Sequence, residues 1–370
     1  MLPVDDENLF YTIALTFVKN IGPRRARVLL QHFGSAKDIF NATLKELKYI
    51  DGLGETLARA FKDEEIMPAA EKEMRYMAKH GISAIISGHD TYPERLKNCL
   101  DAPILLYYKG NTTLNAPKTI AVIGTRKYTD YGNRLTEDLI KDLQRQDGIC
   151  IISGLAHGID AIAHRQSLHC NIPTIAVMGN GMDRIYPPEN KQLANDILEN
   201  GALLTEFPSG TKPDRGNFPM RNRIVAGMSD ITVVVESDIK GGALITARIA
   251  SSYNRDVAAF PGRVHDSRSS GCNELIRTNT AAMITCADDL LELMNWKSTG
   301  KTRPVQKQLF ISLSPEEEKI TTILGQKDMV HADELLYETG LANSMLAATL
   351  LNLEMQGIIK ALPGKRYRLN

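Results

Sequence analysis

A chain of 370 residues is long for one ordinary domain and points to two or three. Its 43% hydrophobic and 24% charged residues exclude a disordered polymer, and no run of about 18 apolar residues offers a membrane span. Lys and Arg balance Asp and Glu at 44 each, so global charge announces no anionic partner and any such partner must meet a local patch.

The first residues, from Met1 to Phe17, lack the basic segment and small-residue cleavage site of a secretory leader, so a cytosolic protein is expected. The five cysteines (Cys99, Cys150, Cys170, Cys272, Cys286) are scattered and form no C-x-x-C pair. That argues against a disulfide scaffold or a thiolate metal site.

Residues 1–65 read as short helices with two similar hairpins. One is Ile21-Gly22-Pro23 leading into Arg24–Leu30; the other is Gly52-Leu53-Gly54 leading into Glu55–Phe61, with Ala58 at a close-packing position. Glycines there permit the tight turn that brings backbone N–H groups towards a phosphate, which is a helix-hairpin-helix pattern. A purely structural packing module is the alternative. Residues 66–117 are expected to connect this module to the core of the chain, with turns at Tyr92-Pro93 and at Ala102-Pro103 before a short strand.

From Lys118 the pattern alternates. Apolar runs at Thr119–Ile123, Cys150–Ile152, Thr174–Met178, Ala202–Thr205, Ile231–Val235 and Val257–Phe260 are mostly separated by helical stretches such as Asn133–Gln146 and Ala156–His169. Continuous apolar strands joined by helices predict a doubly wound, mostly parallel sheet covered on both faces over 118–295. Residues 296–313 carry Lys, Ser, Thr, Gly and Pro and read as a linker. In 314–370, Ser314-Pro315-Glu316-Glu317 is a capping box with proline at the first helical position. Two more helices come after it, one near Ala332–Thr339 and one that starts after Asn343 and runs to Gln356. A hairpin of Ile358–Leu362 and Arg366–Leu369 around Pro363-Gly364 completes a winged helix.

Ligands of open α/β sheets sit beyond the carboxyl ends of the strands, where this chain repeatedly places glycine. Gly124-Thr125-Arg126, Ser153-Gly154-Leu155-Ala156-His157-Gly158, Gly179-Asn180-Gly181 and Gly241-Gly242-Ala243 each come after a strand and can offer backbone N–H groups to an anion. None has the Walker A or dinucleotide-binding spacing, so nucleotide hydrolysis and NAD chemistry are disfavoured and no cofactor is expected. The segment 209–223 adds four cations, Lys212, Arg215, Arg221 and Arg223, against one Asp. Arginine suits phosphate because its planar fork donates two parallel hydrogen bonds, and Phe218 among these cations can stack on an unpaired base. The alternative is that Arg221 and Arg223 pair with carboxylates and Phe218 belongs to the core. His157, Asp160 and His164 share a helical face, but no carboxylate cluster or H-x-x-x-H pair joins them, so no metal is expected.

Taken in order, these motifs resemble the DprA/Smf family. They are Gly124-Thr125-Arg126, the run from Ser153 to His164, Tyr186-Pro187 with Asn190, Phe218-Pro219 with Arg221-Asn222-Arg223-Ile224, Ser229-Asp230, Gly241–Ala247, Phe260-Pro261-Gly262 and Gly271 with Asn273 and Leu275-Ile276. The resemblance spans about residues 92–285, and the flanking modules share that family's layout. It implies a Rossmann-like core between a helix-hairpin-helix (SAM-like) domain and a winged helix. It also implies a non-enzymatic, homodimeric protein that binds single-stranded DNA without sequence preference and loads the RecA recombinase during transformation. It implies a DNA-backbone contact at Arg126, with Phe218, Arg221 and Arg223 near the same pocket. With the neighbouring loops the expected site is Arg126, Ser153, Gly154, Ala156, Gly158, Lys212, Arg215, Phe218, Arg221, Asn222, Arg223, Gly241 and Gly242. Replacing Arg126 or Arg223 by Ala is expected to weaken binding without unfolding the chain. One departure lies at Arg277–Ala281, where the family carries Gly-Ala; Asn279 can supply the left-handed residue that this turn needs.

The rival reading is a nucleoside-monophosphate phosphoribohydrolase of the lysine-decarboxylase-like Rossmann group, which needs a carboxylate beside its glycine loop. Here Gly241-Gly242 is followed by Ala243 to Arg248 without an acid, leaving only Glu236 and Asp238 upstream. A duplex-reading winged helix is disfavoured too. Residues 311–356 hold eight acids against two lysines, and Ser344–Gln356 has no cation to meet a phosphate.

Overall fold

The computed structural model describes residues 4–50, 52–296, 313–327, 329–362 and 365–369. It divides into two compact units, Met1–Ser298 and Thr299–Asn370. The expected linker falls mainly, and the expected turn Pro363-Gly364 wholly, outside the described residues.

The first unit opens with six helices, α1 (Val4–Phe17), α2 (Pro23–Phe33), α3 (Ala36–Asn41), α4 (Leu44–Lys48), α5 (Gly54–Ala60) and α6 (Ile66–His80). Local chemistry sets their starts. Pro23 lies in the first turn of α2, Ser35 caps α3, and Thr43 with Glu46 forms a reciprocal capping box on α4. Ala58 is wholly buried, as close packing of the second hairpin requires.

After these helices come β1 (Ser83–Ile86), α7 (Glu94–Lys97), β2 (Leu105–Gly110), β3 (Lys118–Ile123), α8 (Asp130–Leu143), β4 (Ile149–Ser153), α9 (Ile159–His169), β5 (Thr174–Val177), α10 (Lys191–Ile197), β6 (Gly201–Thr205), α11 (Asn217–Met228), β7 (Ile231–Val234), α12 (Gly242–Ser252), β8 (Asp256–Ala259), α13 (Ser270–Arg277), β9 (Ala282–Met283) and α14 (Ala287–Leu293). The nine-stranded sheet has the order β1-β2-β6-β5-β4-β3-β7-β8-β9. Strands β3 to β9 pair in parallel, whereas β1 and β2 are antiparallel additions at one edge. The segment 66–117 is therefore more than a connector, because it supplies two strands of the sheet. Tyr107, Leu105 and Ile104 from that segment join the core of the N-terminal helices.

Alternation along the strands explains the double winding. Ile120 and Val122 of β3 pack with Leu139, Ile140 and Leu143 of α8 and Leu290 of α14. Ala121 and Ile123 turn to the opposite face, towards Ile224, Val225 and Met228 of α11 and Leu244 and Ala247 of α12. The strand order reverses at β3, from which β4 and β7 depart on either side; a crevice opens at such a switch point.

The turn at Arg277–Ala281, where the chain departs from the family pattern, survives through the asparagine. Asn279 adopts φ 54°, and the N–H groups of Thr280 and Ala281 close back on Leu275 O at 2.9 and 3.1 Å.

The second unit comprises α15 (Pro315–Gln326), β10 (Val330–His331), α16 (Ala332–Thr339), α17 (Asn343–Met355), β11 (Ile359–Leu362) and β12 (Arg366–Leu369). Ser314 and Glu317 form the expected capping box, and Gly340 ends α16 in the left-handed conformation. Beyond the expected hairpin, β10 adds a third antiparallel strand in the order β10-β12-β11. Ile320, Leu324, Leu335, Leu346, Leu350 and Leu353 form its core.

Candidate functional site

The turn after β3 starts the site. Gly124 is required because a Cβ there would lie 2.5 Å from Ile159 Cγ1. Thr125 N–H donates to Glu236 O at 2.7 Å, and Ile159 N–H donates to Thr125 O at 3.2 Å, so the turn is tied to its neighbours on both sides. Arg126 emerges exposed, with its guanidinium carbon 5.4 Å from the centre of the Phe218 ring.

Phe218 comes from the first turn of α11. It rests on Gly179, where a Cβ would approach its ring to 3.0 Å, so the third glycine turn serves as a seat for the aromatic ring. Tyr186, 41% exposed, lies with its ring centre 5.7 Å from that of Phe218 at an interplanar angle of 34°. Three strand-end segments thus assemble a row of cation, half-buried ring and exposed ring. Tyr186 belongs to the family pattern, but sequence reasoning gave it no part in the site. An aromatic directly before Pro187 in a strand-end loop was the available signal.

The loop after β6 carries Lys212 and Arg215, both exposed and without a carboxylate partner among the described residues. At the far side, Gly241 caps α12 and Gly242 opens it, exposed and with room for a side chain, since a Cβ there would meet nothing within 4 Å. Arg126, Lys212, Arg215, Phe218, Gly241 and Gly242 therefore all belong to the carboxyl edge of the parallel sheet, where a polyanion has access.

The remaining expected residues have a different place. Arg221 is 4% exposed, and its Nη1 donates to Gly154 O and, at 2.5 Å, to Val177 O. Burial lowers its pKa to about 10, against the pull of nearby Asp160. Arg223 is 7% exposed and donates to the Glu206 carboxylate and to Asp101 O. Burial raises the pKa of Glu206, while Arg223 acts in the opposite direction. Both arginines are thus engaged inside the protein, and the expectation that they meet phosphate is corrected. Arg221 lies on the stripe of α11 that faces the strand ends of β4 and β5, and Arg223, two residues on, faces Glu206 and Asp101. Asn222, half-buried, accepts from Arg221 Nε at 3.1 Å.

The second glycine turn is also directed inward. Ser153 is fully buried and donates to Val122 O at 2.6 Å, and the N–H groups of Gly154 and Ala156 point to Asp160 Oδ2 at 3.1 and 3.4 Å. A Cβ on Gly154 would strike the Arg221 guanidinium. Gly158 stands at φ +81°, where a Cβ would lie 2.2 Å from Thr125 O, and α9 starts only after it at Ile159. Ser153, Gly154, Ala156 and Gly158 therefore shape the edge, and the N–H groups of Gly154 and Ala156 are already taken by a carboxylate.

Among the described residues no group of three or more His, Cys, Asp or Glu is placed to hold an ion. His164 is buried with Nδ1 2.7 Å from Thr174 Oγ1, and burial lowers its pKa to about 3. Of the two acids that a hydrolase would recruit, Glu236 is buried and engaged and Asp238 is exposed. Glu236 is 1% exposed and accepts from Thr129 N–H at 2.9 Å and Thr129 Oγ1 at 2.7 Å, which anchors the start of α8. Asp238 accepts from Lys240 N–H at 2.8 Å.

The comparison that decides the family covers this core. The family model for DNA recombination-mediator protein A matches residues 83–295, more than half of the chain. This chain belongs to the DprA/Smf family. A DprA winged-helix model matches 306–365, and a SAM-like helix-hairpin-helix tandem matches 13–64. Among its relatives, Protein Smf of Synechocystis is 32% identical, the alignment covering 97% of this chain and 98% of the relative. DNA processing protein DprA of Bacillus subtilis is 37% identical over 67% of this chain and 84% of the relative. The crystal structure of DNA processing protein A from Streptococcus pneumoniae superposes with a TM-score of 0.67 at 31% identity, covering 79% of this chain and 98% of that one. A structure concerned with the single-stranded DNA binding mode of the Helicobacter pylori family member gives a TM-score of 0.53 at 31% identity, over 58% of this chain and 95% of that one. Among the described residues, no helix is long and apolar enough to cross a membrane.

Proposed function

We propose that the carboxyl edge of the sheet binds single-stranded DNA through its phosphates, without sequence preference and without breaking a bond. The row Arg126–Phe218–Tyr186 carries this reading. A guanidinium beside two accessible rings matches a phosphate next to unpaired bases, and stacking contributes about 1–3 kcal/mol per base whatever the base. Lys212, Arg215 and the open turn Gly241-Gly242 extend the track along the edge. The engagement of Glu236, which is buried and caps α8, favours binding over hydrolysis.

The Helicobacter pylori relative, whose structure concerns single-stranded DNA binding, supports the choice of ligand. Membership of the family supports the wider role: a cytosolic homodimer that protects incoming DNA during transformation and delivers it to RecA. The test is binding to single strands of several unrelated sequences and to their duplexes over increasing salt. Single strands of any sequence should bind alike, more tightly than duplex, and Arg126→Ala should weaken them all. Equal affinity of wild type and Arg126→Ala for single strands would overturn the reading. RecA delivery is tested separately, by the rate of RecA filament assembly on coated single strands with and without the protein.

A further inference from the structure

Helix α17 is apolar on both faces. Leu346, Leu350 and Leu353 point into the core of the second unit. On the opposite face, Met345, Leu351 and Met355 are 53%, 59% and 80% exposed, and Ala348 lies between them. Positions 345, 348, 351 and 355 follow the three- and four-residue spacing of one helical stripe. A helix with a second apolar stripe is made to be covered on it, and isolated exposed apolar residues do not align in this way.

The stripe forms one wall of a groove of about 690 Å³ whose other wall is the first turn of α15. Methionines suit such a wall, because an unbranched, polarizable side chain adapts to different apolar partners. The charged residues that line the groove, Glu316 and Glu317, are both acidic. Glu316 lines it, Glu354 flanks the stripe, and neither carboxylate has a partner among the described residues. No Lys or Arg stands in α17; of the two lysines in 311–356, Lys327 is held by Glu334 and Glu338, and Lys319 is exposed on α15 outside the groove's lining.

We propose that this groove seats a basic amphipathic helix of a partner protein, with its apolar side on Met345, Leu351 and Met355 and its cations beside Glu316 and Glu354. Helix-in-groove recognition lays the apolar face of an amphipathic helix on such a floor, and the acidic border complements cations beside that face. Self-pairing is opposed, since a second copy would bring like-charged borders together, and a duplex phosphate backbone is repelled for the same reason.

The full chain, labelled with carbon-13 at the methionine methyl groups, tests the proposal. It is titrated with a designed helix of leucines at three- and four-residue spacing and lysines elsewhere, and with its glutamate counterpart. The Met345 and Met355 methyl signals, assigned by Met345→Leu and Met355→Leu, should shift and saturate with the lysine helix only. The double variant Leu351→Lys with Met355→Lys, changed only at exposed positions, should bind at least about tenfold more weakly. Four results would each overturn the proposal: unmoved Met345 and Met355 signals; equal binding of the glutamate helix; an unaffected double variant; or shifts produced by duplex DNA or by raising the protein concentration alone, with a dimer in sedimentation that Leu351→Lys abolishes.

Discussion

Arg126 and Arg223 belong to one family pattern of strand-end and helix-start arginines, yet the fold predicts opposite consequences for their loss. Arg126 is exposed, and its contact with the Phe218 ring at 5.4 Å is a cation–π interaction of about 0.5–1 kcal/mol at such a site. Arg126→Ala should leave thermal stability within about 1–2 °C of wild type. If the guanidinium meets one phosphate, its loss removes a charge-assisted hydrogen bond of about 1.5–3 kcal/mol, or roughly ten- to hundredfold in affinity. The slope of log affinity against log salt should fall by about 0.7, the value for one phosphate on a single strand. Arg223→Ala acts elsewhere. It strips the partner from Glu206, a carboxylate that is 8% exposed and whose Oε1 already lacks a hydrogen bond. Removing one member of a buried ion pair costs about 3–5 kcal/mol, which in a unit of this size lowers the melting temperature on the order of 10 °C. The assay is paired: fluorescence anisotropy with a labelled single strand across a salt series, and calorimetry on the same samples. Arg223→Ala melting like wild type while losing affinity and salt slope as Arg126→Ala does would refute the division between rim and frame.

Other expectations concern the loops and the buried histidine. Gly158→Ala forces a side chain onto φ +81° and against Thr125 O, at a cost of about 1–3 kcal/mol; by displacing Thr125 it should weaken single-strand binding together with stability, as equilibrium urea unfolding beside anisotropy will show. The double variant Lys212→Ala with Arg215→Ala should reduce the salt slope by up to about 1.4 without changing the melting temperature, and an unchanged slope would remove that loop from the track. His164, held near pKa 3 in the fold against about 6.5 when unfolded, binds its proton more readily in the unfolded chain. Its contribution to stability is therefore present above about pH 6.5 and is lost as pH falls towards 3. Ring-proton NMR should show no titration of His164 between pH 5 and 8, and a midpoint near 6.5 would contradict the burial argument.

Much of this architecture is legible in the sequence because its physics is local. Buried parallel strands read as unbroken apolar runs, and Ser314-Pro315-Glu316-Glu317 states a helix start outright. Strand β1 is not legible, because four residues, Ser83 to Ile86, carry too little pattern and pair only with distant β2. The site is legible in part. Arg126, Phe218, Lys212 and Arg215 lie at the carboxyl edge, but the run Phe218 to Arg223 looks in sequence like one exposed basic segment. Helical spacing holds the correction, since Arg221 precedes Ile224, Val225 and Met228 by three, four and seven residues and so shares their inward stripe. Its acceptors, Gly154 O and Val177 O, are 67 and 44 residues away, and no local pattern names them. The engagement of Gly154 and Ala156 N–H groups by Asp160 is hidden for the related reason that a glycine turn looks the same whether its amides face solvent or a carboxylate.

The inward arginine of α11 has a further consequence. By clasping carbonyls at the ends of two neighbouring strands, Arg221 sets the spacing of the loops without lending its charge to the surface. Cations on the outer rim can then be gained or lost one at a time, tuning how long a strand stays bound, while the scaffold beneath them keeps its dimensions. Under the proposed function, a chain of zero net charge grips a polyanion in this way and still releases it.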